Sequence, residues 1–264
     1  SLLRNRGDGT FEDVTIAAGL LSYHPDQTAV WFDFDGDGWL DVFVGNEMAD
    51  RTGRHPCELF RNNHDGTFTE MALGAGLRIN AFVKGATSGD FNNDGRPDLY
   101  VSVLGRPNLL FRNDGPGLET NSWRFTDVAS AAGVQEPDYS FPTWFFDFDQ
   151  DGNEDLFVAG YRIRQVADVA ADYLGLPNSG ERSRLFRNRG NGTFEDVSKV
   201  MGLDHVLPAM GSNYGDLDND GWLDFYLGTG DPDLLTLIPN RMFWNRGGKH
   251  FEDVTTAGGF GHLQ

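Results

Sequence analysis

Cysteine is almost missing from this 264-residue chain: Cys57 stands alone, so no intrachain disulfide can form and no Cys-rich zinc site is available. The lone thiol reads as a small buried apolar side chain. Long apolar runs are missing too. Nothing approaches the roughly 18 consecutive apolar residues of a membrane span, and the N-terminus lacks the charged head and apolar core of a signal peptide. A chain that starts at Ser1 rather than Met is expected to have lost a leader or a preceding segment. Positive charge is scarce: 21 Lys and Arg stand against 40 Asp and Glu, a formal charge of -19. A generic nucleic-acid binder needs a basic face to neutralise phosphates, so that class is excluded. No Ser nucleophile elbow, His-Glu-x-x-His motif or phosphate-cradling glycine loop occurs, and no catalytic or organic-cofactor residue is assigned. Nor does any low-complexity linker divide the chain, which leaves residues 1-264 as one domain or a fragment of one.

What is present is a repeat. Asp33-Phe-Asp35-Gly-Asp37-Gly38-Trp39-Leu-Asp41 recurs as Asp90-Phe-Asn92-Asn-Asp94-Gly95-Arg96-Pro-Asp98, as Asp147-Phe-Asp149-Gln-Asp151-Gly152-Asn153-Glu-Asp155 and as Asp216-Leu-Asp218-Asn-Asp220-Gly221-Trp222-Leu-Asp224. Alternating with these is Leu3-Arg4-Asn5 to Phe11, then Phe60-Arg61-Asn62 to Phe68, Phe111-Arg112-Asn113 to Phe125, Phe186-Arg187-Asn188 to Phe194, and Phe243-Trp244-Asn245 to Phe251. The first Asp recurs after 57, 57 and 69 residues. Each unit reads as four short strands: one before the Asp loop, one after it, then a hairpin. In those hairpins Asp8-Gly9, Asp65-Gly66 and Asn191-Gly192 are expected to supply the positive backbone angles of a tight primed turn. The expectation is an all-β propeller of four-stranded antiparallel blades: a half blade at 1-20 and blades near 21-77, 78-134, 135-203 and 204-260.

Spacing separates two faces. The trailing Phe lies 22 residues before the next first Asp in all four cases, so the crossing between blades is fixed. From the last loop Asp to the next hairpin aromatic the distance is 19, 13, 31 and 19 residues. These variable connections are second turns, on the face opposite the Asp loops. The longest contains Val166, Val169, Ala170, Tyr173 and Leu174 at helical spacing, which predicts a short surface helix over 166-174.

The Asp loops point to calcium. Oxygens at positions one, three, five and nine, with the position-seven carbonyl and water, make six or seven hard ligands, and Gly at position six allows the sharp turn. The expected ligands are Asp33, Asp35, Asp37, Trp39 and Asp41; Asp90, Asn92, Asp94, Arg96 and Asp98; Asp147, Asp149, Asp151, Asn153 and Asp155; and Asp216, Asp218, Asp220, Trp222 and Asp224, the position-seven residues contributing carbonyls. Donors without sulfur or imidazole argue against zinc and copper in these loops. An EF-hand would place Glu at position twelve, where this chain has Val44, Val101, Val158 and Leu227. Structural sites of affinity on the order of 10⁻⁴ M or tighter follow, about four of them, filled outside cells, and with Asn92 the second loop should be weakest.

These residues resemble the FG-GAP or VCBS repeats of integrin-α-like propellers. The Phe-Arg-Asn-x-x-Asp/Asn-Gly-Thr-Phe-Glu-Asp-Val stretch is similar to the ASPIC/UnbV and cartilage-acidic-protein branch. The resemblance implies a calcium-bound propeller, usually of seven blades, on secreted or cell-surface proteins. The literal Phe-Gly and Gly-Ala-Pro elements of the integrin repeat are missing, which weakens integrin-type ligand binding. Five outer hairpins against four inner pairs leave a half blade open, so the expectation is a piece of a larger propeller or completion by another chain.

Other signals have simpler readings. Arg6-Gly7-Asp8 and Asn191-Gly192-Thr193 sit in hairpin turns, where turn chemistry explains them. Gly85 to Gly89 reads as close packing at the axis, Trp31 and Trp144 as blade core, and the six histidines as surface or turn residues rather than ligands. The expected contact surface is the variable face: Glu47, Asp50, Arg51, Arg54 and His55; Arg106 and Asn108; Tyr161, Arg162, Arg164 and Gln165; Asp231 and Asp233. The function so read is an extracellular, periplasmic or cell-surface module that meets a protein or glycan partner. The alternatives are a carbohydrate lyase on the same scaffold, or a structural subunit of a larger assembly.

Overall fold

The computed structural model describes residues 1-47, 55-118, 122-230 and 238-259. The chain opens with a two-stranded sheet, β1 (Leu3–Asn5) and β2 (Phe11–Asp13). Four antiparallel sheets of four strands follow, each in up-and-down order. The first comprises β3 (Asp26–Phe32), β4 (Asp41–Asn46), β5 (Glu58–Asn62) and β6 (Phe68–Glu70), and the second β7 (Val83–Gly89), β8 (Asp98–Val103), β9 (Leu109–Pro116) and β10 (Trp123–Asp127). The third holds β11 (Ser140–Phe146), β12 (Asp155–Gly160), β13 (Arg184–Asn188) and β14 (Phe194–Asp196), and the fourth β15 (Ala209–Gly215), β16 (Asp224–Thr229), β17 (Arg241–Asn245) and β18 (Phe251–Asp253). The sheets are the blades of an all-β propeller.

The sheets stack face to face, so the second strand of a blade is covered on both sides and, after its leading Asp, reads as a largely apolar run rather than an alternation. Every residue of β8 and of β12 is buried. Three apolar cores result. One joins the first and second blades through Phe34, Phe43, Leu59, Leu99 and Phe125; another joins the second and third through Phe91, Tyr100, Leu156 and Phe194; the last joins the third and fourth through Phe148, Phe157, Phe225 and Phe251. Close approach near the axis excludes side chains. A Cβ on Gly85 would stand 2.4 Å from the Phe141 carbonyl oxygen, and one on Gly89 would meet Glu154 at 2.3 Å.

Short helices finish the outer edge. After the fourth strand of the first two blades the Met71-Ala-Leu and Val128-Ala-Ser stretches close single turns, α1 (Ala72–Ala75) and α2 (Ala129–Ala132), each stopped by a left-handed glycine, Gly76 or Gly133. The sequence reading missed these. The helix expected over 166-174 is present as α3 (Val166–Tyr173), opened by a capping box in which Gln165 and Asp168 bond reciprocally.

Two expectations are corrected. In the outer hairpins the positive angles fall on residues separated by one, Gly7 and Gly9, His64 and Gly66, Gly190 and Gly192. Between them Asp8, Asp65 and Asn191 each accept from the backbone and hydroxyl of the Thr two residues on, so the turn is a five-residue loop built on an Asx turn rather than a two-residue primed turn. Trp144 is blade core at 5% exposed, but Trp31 is 43% exposed, because it faces the crevice between the first blade and the β1–β2 sheet. Cys57 is buried, as expected.

Candidate metal centres

Each Asp loop is the first turn of its blade, closed where the residue before the first Asp pairs with the ninth position: Phe32 with Asp41, Gly89 with Asp98, Phe146 with Asp155, Gly215 with Asp224. Backbone hydrogen bonds fix the loop. The position-one carboxylates accept from the amides of positions five and six, at 3.1 and 2.8 Å for Asp33 and 3.0 and 2.7 Å for Asp90, and likewise at Asp147 and Asp216. The position-five carboxylates accept from the amides of Trp39, Arg96, Asn153 and Trp222, which turns the following carbonyls into place. Positive angles occur at position six, as expected, and also at position four, on Gly36, Asn93, Gln150 and Asn219. That second left-handed residue was not anticipated, although Gly and Asn there are the usual signature.

The position-nine carboxylates are the buried ones: Asp41, Asp98, Asp155 and Asp224 are at most 1% exposed. Each accepts two amides, from position two of its own loop and from the Asn of the outer hairpin, for example Phe34 at 3.1 Å and Asn62 at 2.8 Å on Asp41. Burial, offset in part by these donors and reinforced by the neighbouring aspartates, pushes Asp41 up to about 6, Asp98 to about 7 and Asp155 to about 8, and raises Asp224.

Among the described residues, carboxylate oxygens converge within 4.8 Å of one another in three places: Asp33, Asp35 and Asp37; Asp147, Asp149 and Asp155; Asp216, Asp218 and Asp224. The fourth expected carboxylate of each loop, Asp41, Asp151 or Asp220, stands outside the trio. No such trio occurs among the described residues of the second loop, where Asn92 replaces the third-position carboxylate and its amide donates to Asp94 at 3.0 Å. The donor sets fit a hard cation: they are all oxygen, and Asp35 Oδ1 and Asp149 Oδ1 are buried with no hydrogen-bond partner. Burial raises both carboxyls. A bound cation would satisfy either orphaned oxygen.

Two features escaped the sequence reading. The Arg of the outer hairpin reaches the third-position Asp, with Arg61 2.6 Å from Asp35 and Arg187 2.8 Å from Asp149. Where that Asp is Asn92, the corresponding Arg112 turns instead to Asp114 at 2.7 Å, and the fourth blade has Trp244 in place of Arg. The second is a latch between blades. Asn113, Asn188 and Asn245 donate through Nδ2 to the position-two carbonyls of the preceding blade, Phe34 at 2.8 Å, Phe91 at 2.7 Å and Phe148 at 2.8 Å. The repeated Asn of the hairpin motif was the available signal.

On the opposite face Glu47, His55, Arg106, Asn108, Tyr161, Arg162, Arg164 and Gln165 are described, whereas Asp50, Arg51, Arg54, Asp231 and Asp233 lie outside the described residues. Asn108 is not a contact residue: it is fully buried, its Oδ1 accepting from Val103 N and Ser140 Oγ. Around it Arg162 lies over the Tyr139 ring at 4.4 Å, the Phe141 and Tyr161 rings meet tilted at 50° with centroids 5.3 Å apart, and the Lys84 ammonium sits 5.2 Å from the Phe141 ring.

Cartilage acidic protein 1 of Homo sapiens is 26% identical over 238 residues, which is 86% of this chain and 32% of that protein, and the Mus musculus protein matches equally. The chain thus spans about a third of the length of these relatives. Among solved structures, one for specific recognition of non-reducing terminal N-acetylglucosamine by an Agrocybe aegerita lectin covers 98% of this chain and 62% of its own, at 18% identity and a TM-score of 0.48. A family model described as the FG-GAP-like repeat matches residues 1–44, 33–101 and 167–227, more than half of the sequence, and the chain therefore belongs to the FG-GAP-like repeat family.

Proposed function

We propose that the chain is a calcium-stabilised extracellular binding or scaffold module, which meets a protein or glycan through the loops opposite its Asp hairpins. The observation that carries the reading is the division of labour between the faces. On one face four hairpins of fixed length gather carboxylates, three of them into trios fit for a hard cation. On the other, connections differ in length and carry α3, Tyr161 and Arg162, the last two packed on Phe141 and Tyr139 at the start of β11.

Calcium is the ion that fits: seven-oxygen coordination from carboxylates and a carbonyl suits it, whereas magnesium keeps more of its waters. With apolar strand residues in place of a twelfth-position Glu, the sites belong to the weak class that fills at extracellular calcium levels. The kinship to a protein named for cartilage supports the same compartment. The β1–β2 sheet is read as the outer pair of a further blade, and the ring as larger than these four blades. Position two of the Asp loop supports this: Phe34, Phe91 and Phe148 are at most 2% exposed against the next blade, while Leu217 in the fourth loop is 54% exposed.

An extracellular-matrix protein and glycan array, probed with calcium-loaded chain, tests the partner claim. The expected result is a hit lost in an Arg162→Ala, Tyr161→Ala double variant that melts like the parent. Hits that survive that substitution and respond only to changes in the Asp hairpins would contradict it.

A further inference from the structure

Six histidines are spread through the sequence, and folding brings two of them together. His24 lies in the crossing ahead of β3 and His55 in the connection that leads into β5, both half-buried on the face opposite the Asp hairpins. Their Nδ1 atoms are 2.9 Å apart, and the rings meet edge to face at 75° with centroids 5.2 Å apart. Two neutral imidazoles at this distance share one proton, one Nδ1 donating and the other accepting.

The surroundings favour the form in which His24 Nδ1 is bare. Glu58 stands on the far side of that ring, Oε1 3.9 Å from Nε2. Its other oxygen accepts from Asn46 Nδ2 at 3.3 Å, and Asn46, fully buried, is pinned by a second bond to the Pro56 carbonyl at 2.8 Å. At 3.9 Å the carboxylate makes no hydrogen bond to Nε2, but its negative charge favours the ring proton on that side and leaves Nδ1 as the lone-pair nitrogen.

The spacing also suits a chelated ion. Metal to imidazole bonds of about 2.0–2.1 Å place two nitrogens about 2.9 Å apart when the angle at the metal is 90°, and about 3.3 Å apart at a tetrahedral centre. The observed 2.9 Å is the length of the shared N–H···N bond and also the right-angle value, so an ion replacing that proton at a tetragonal centre leaves the nitrogen separation unchanged. Nitrogen and oxygen donors in a tetragonal plane suit copper(II) or nickel(II). We propose that His24 and His55 are the cis nitrogen ligands of a tetragonal divalent-metal site, with Glu58 orienting His24 and water filling the remaining positions. The ion displaces the shared proton, which leaves to solvent. This site is separate from the Asp hairpins and does not depend on their occupant.

The test uses the full chain with its Asp hairpins saturated by excess calcium, one equivalent of copper(II) chloride as the probe, and electron paramagnetic resonance as the readout. A tetragonal spectrum with splitting from two nitrogens is expected. His55→Gln should remove one of them, and Glu58→Gln should keep both while lowering copper affinity at least tenfold. In the unsubstituted protein the same equivalent of copper should shield His24 and His55, and not His250, from diethyl pyrocarbonate, which needs no variant to fold. A spectrum with fewer than two nitrogens, one that persists in a folded His24→Gln, His55→Gln variant, or unaltered modification of both residues would overturn the assignment.

Discussion

Asn188 shows how one side chain serves two blades. Its backbone amide donates to Asp155 at 2.8 Å, while its Nδ2 donates to the Glu154 carbonyl in its own blade and to the Phe91 carbonyl in the preceding one. All this happens at 2% exposure, so truncation leaves buried carbonyls without a partner. Asn188→Ala should cost about 1–3 kcal/mol in urea denaturation. Asn62→Ala should cost less, since Asn62 is half-exposed and its Nδ2 donates to Leu40 alone among the described residues. Equal losses at the two positions would remove the latch from the account. Cys57 supplies a second residue-scale prediction. Burial raises its thiol to about 11, so alkylation at neutral pH should follow global unfolding and accelerate when metal is withdrawn; prompt labelling of the native protein, read by mass spectrometry, would contradict this. The aspartates were legible in the sequence because ligand spacing is local. The latch was not, because its bonds join residues 79 or 97 apart, and a separation of 31 residues likewise hid the His24 and His55 pair.

At the scale of the element, the four Asp hairpins share a frame and differ in charge. Arg61 and Arg187 partly neutralise the first and third, Asn92 removes one carboxylate from the second, and the fourth has neither change. The fourth should therefore bind calcium most tightly and the second least. Asn92→Asp should tighten the second site by about 1–2 kcal/mol, measured by calorimetric titration, with Arg112 drawn toward the new carboxylate. An unchanged affinity would show that charge does not rank the sites. Strand positions were readable from the repeated loop and hairpin motifs that bound them, and α3 from its 3.6-residue period. The single turns α1 and α2 were not, being too short to show a period. The outer turns were misjudged because the dipeptide Asp-Gly fits both a two-residue turn and an Asx-based five-residue loop, and only backbone angles separate them.

Across the whole molecule, three apolar cores bind consecutive blades, and the acidic surplus is concentrated in hairpins that repel themselves without a counter-ion. The propeller was legible because the repeat announces it. Its free surfaces were not, since exposure of Trp31 and Leu217 depends on what neighbours them. The central claim is that calcium in the hairpins is a condition of stability, and thermal melting in excess calcium and after verified metal removal tests it most directly. Sites with dissociation constants near 10⁻⁴ M should together raise the melting temperature by about 10 °C or more at millimolar calcium. An identical melting temperature with and without the metal would contradict the account.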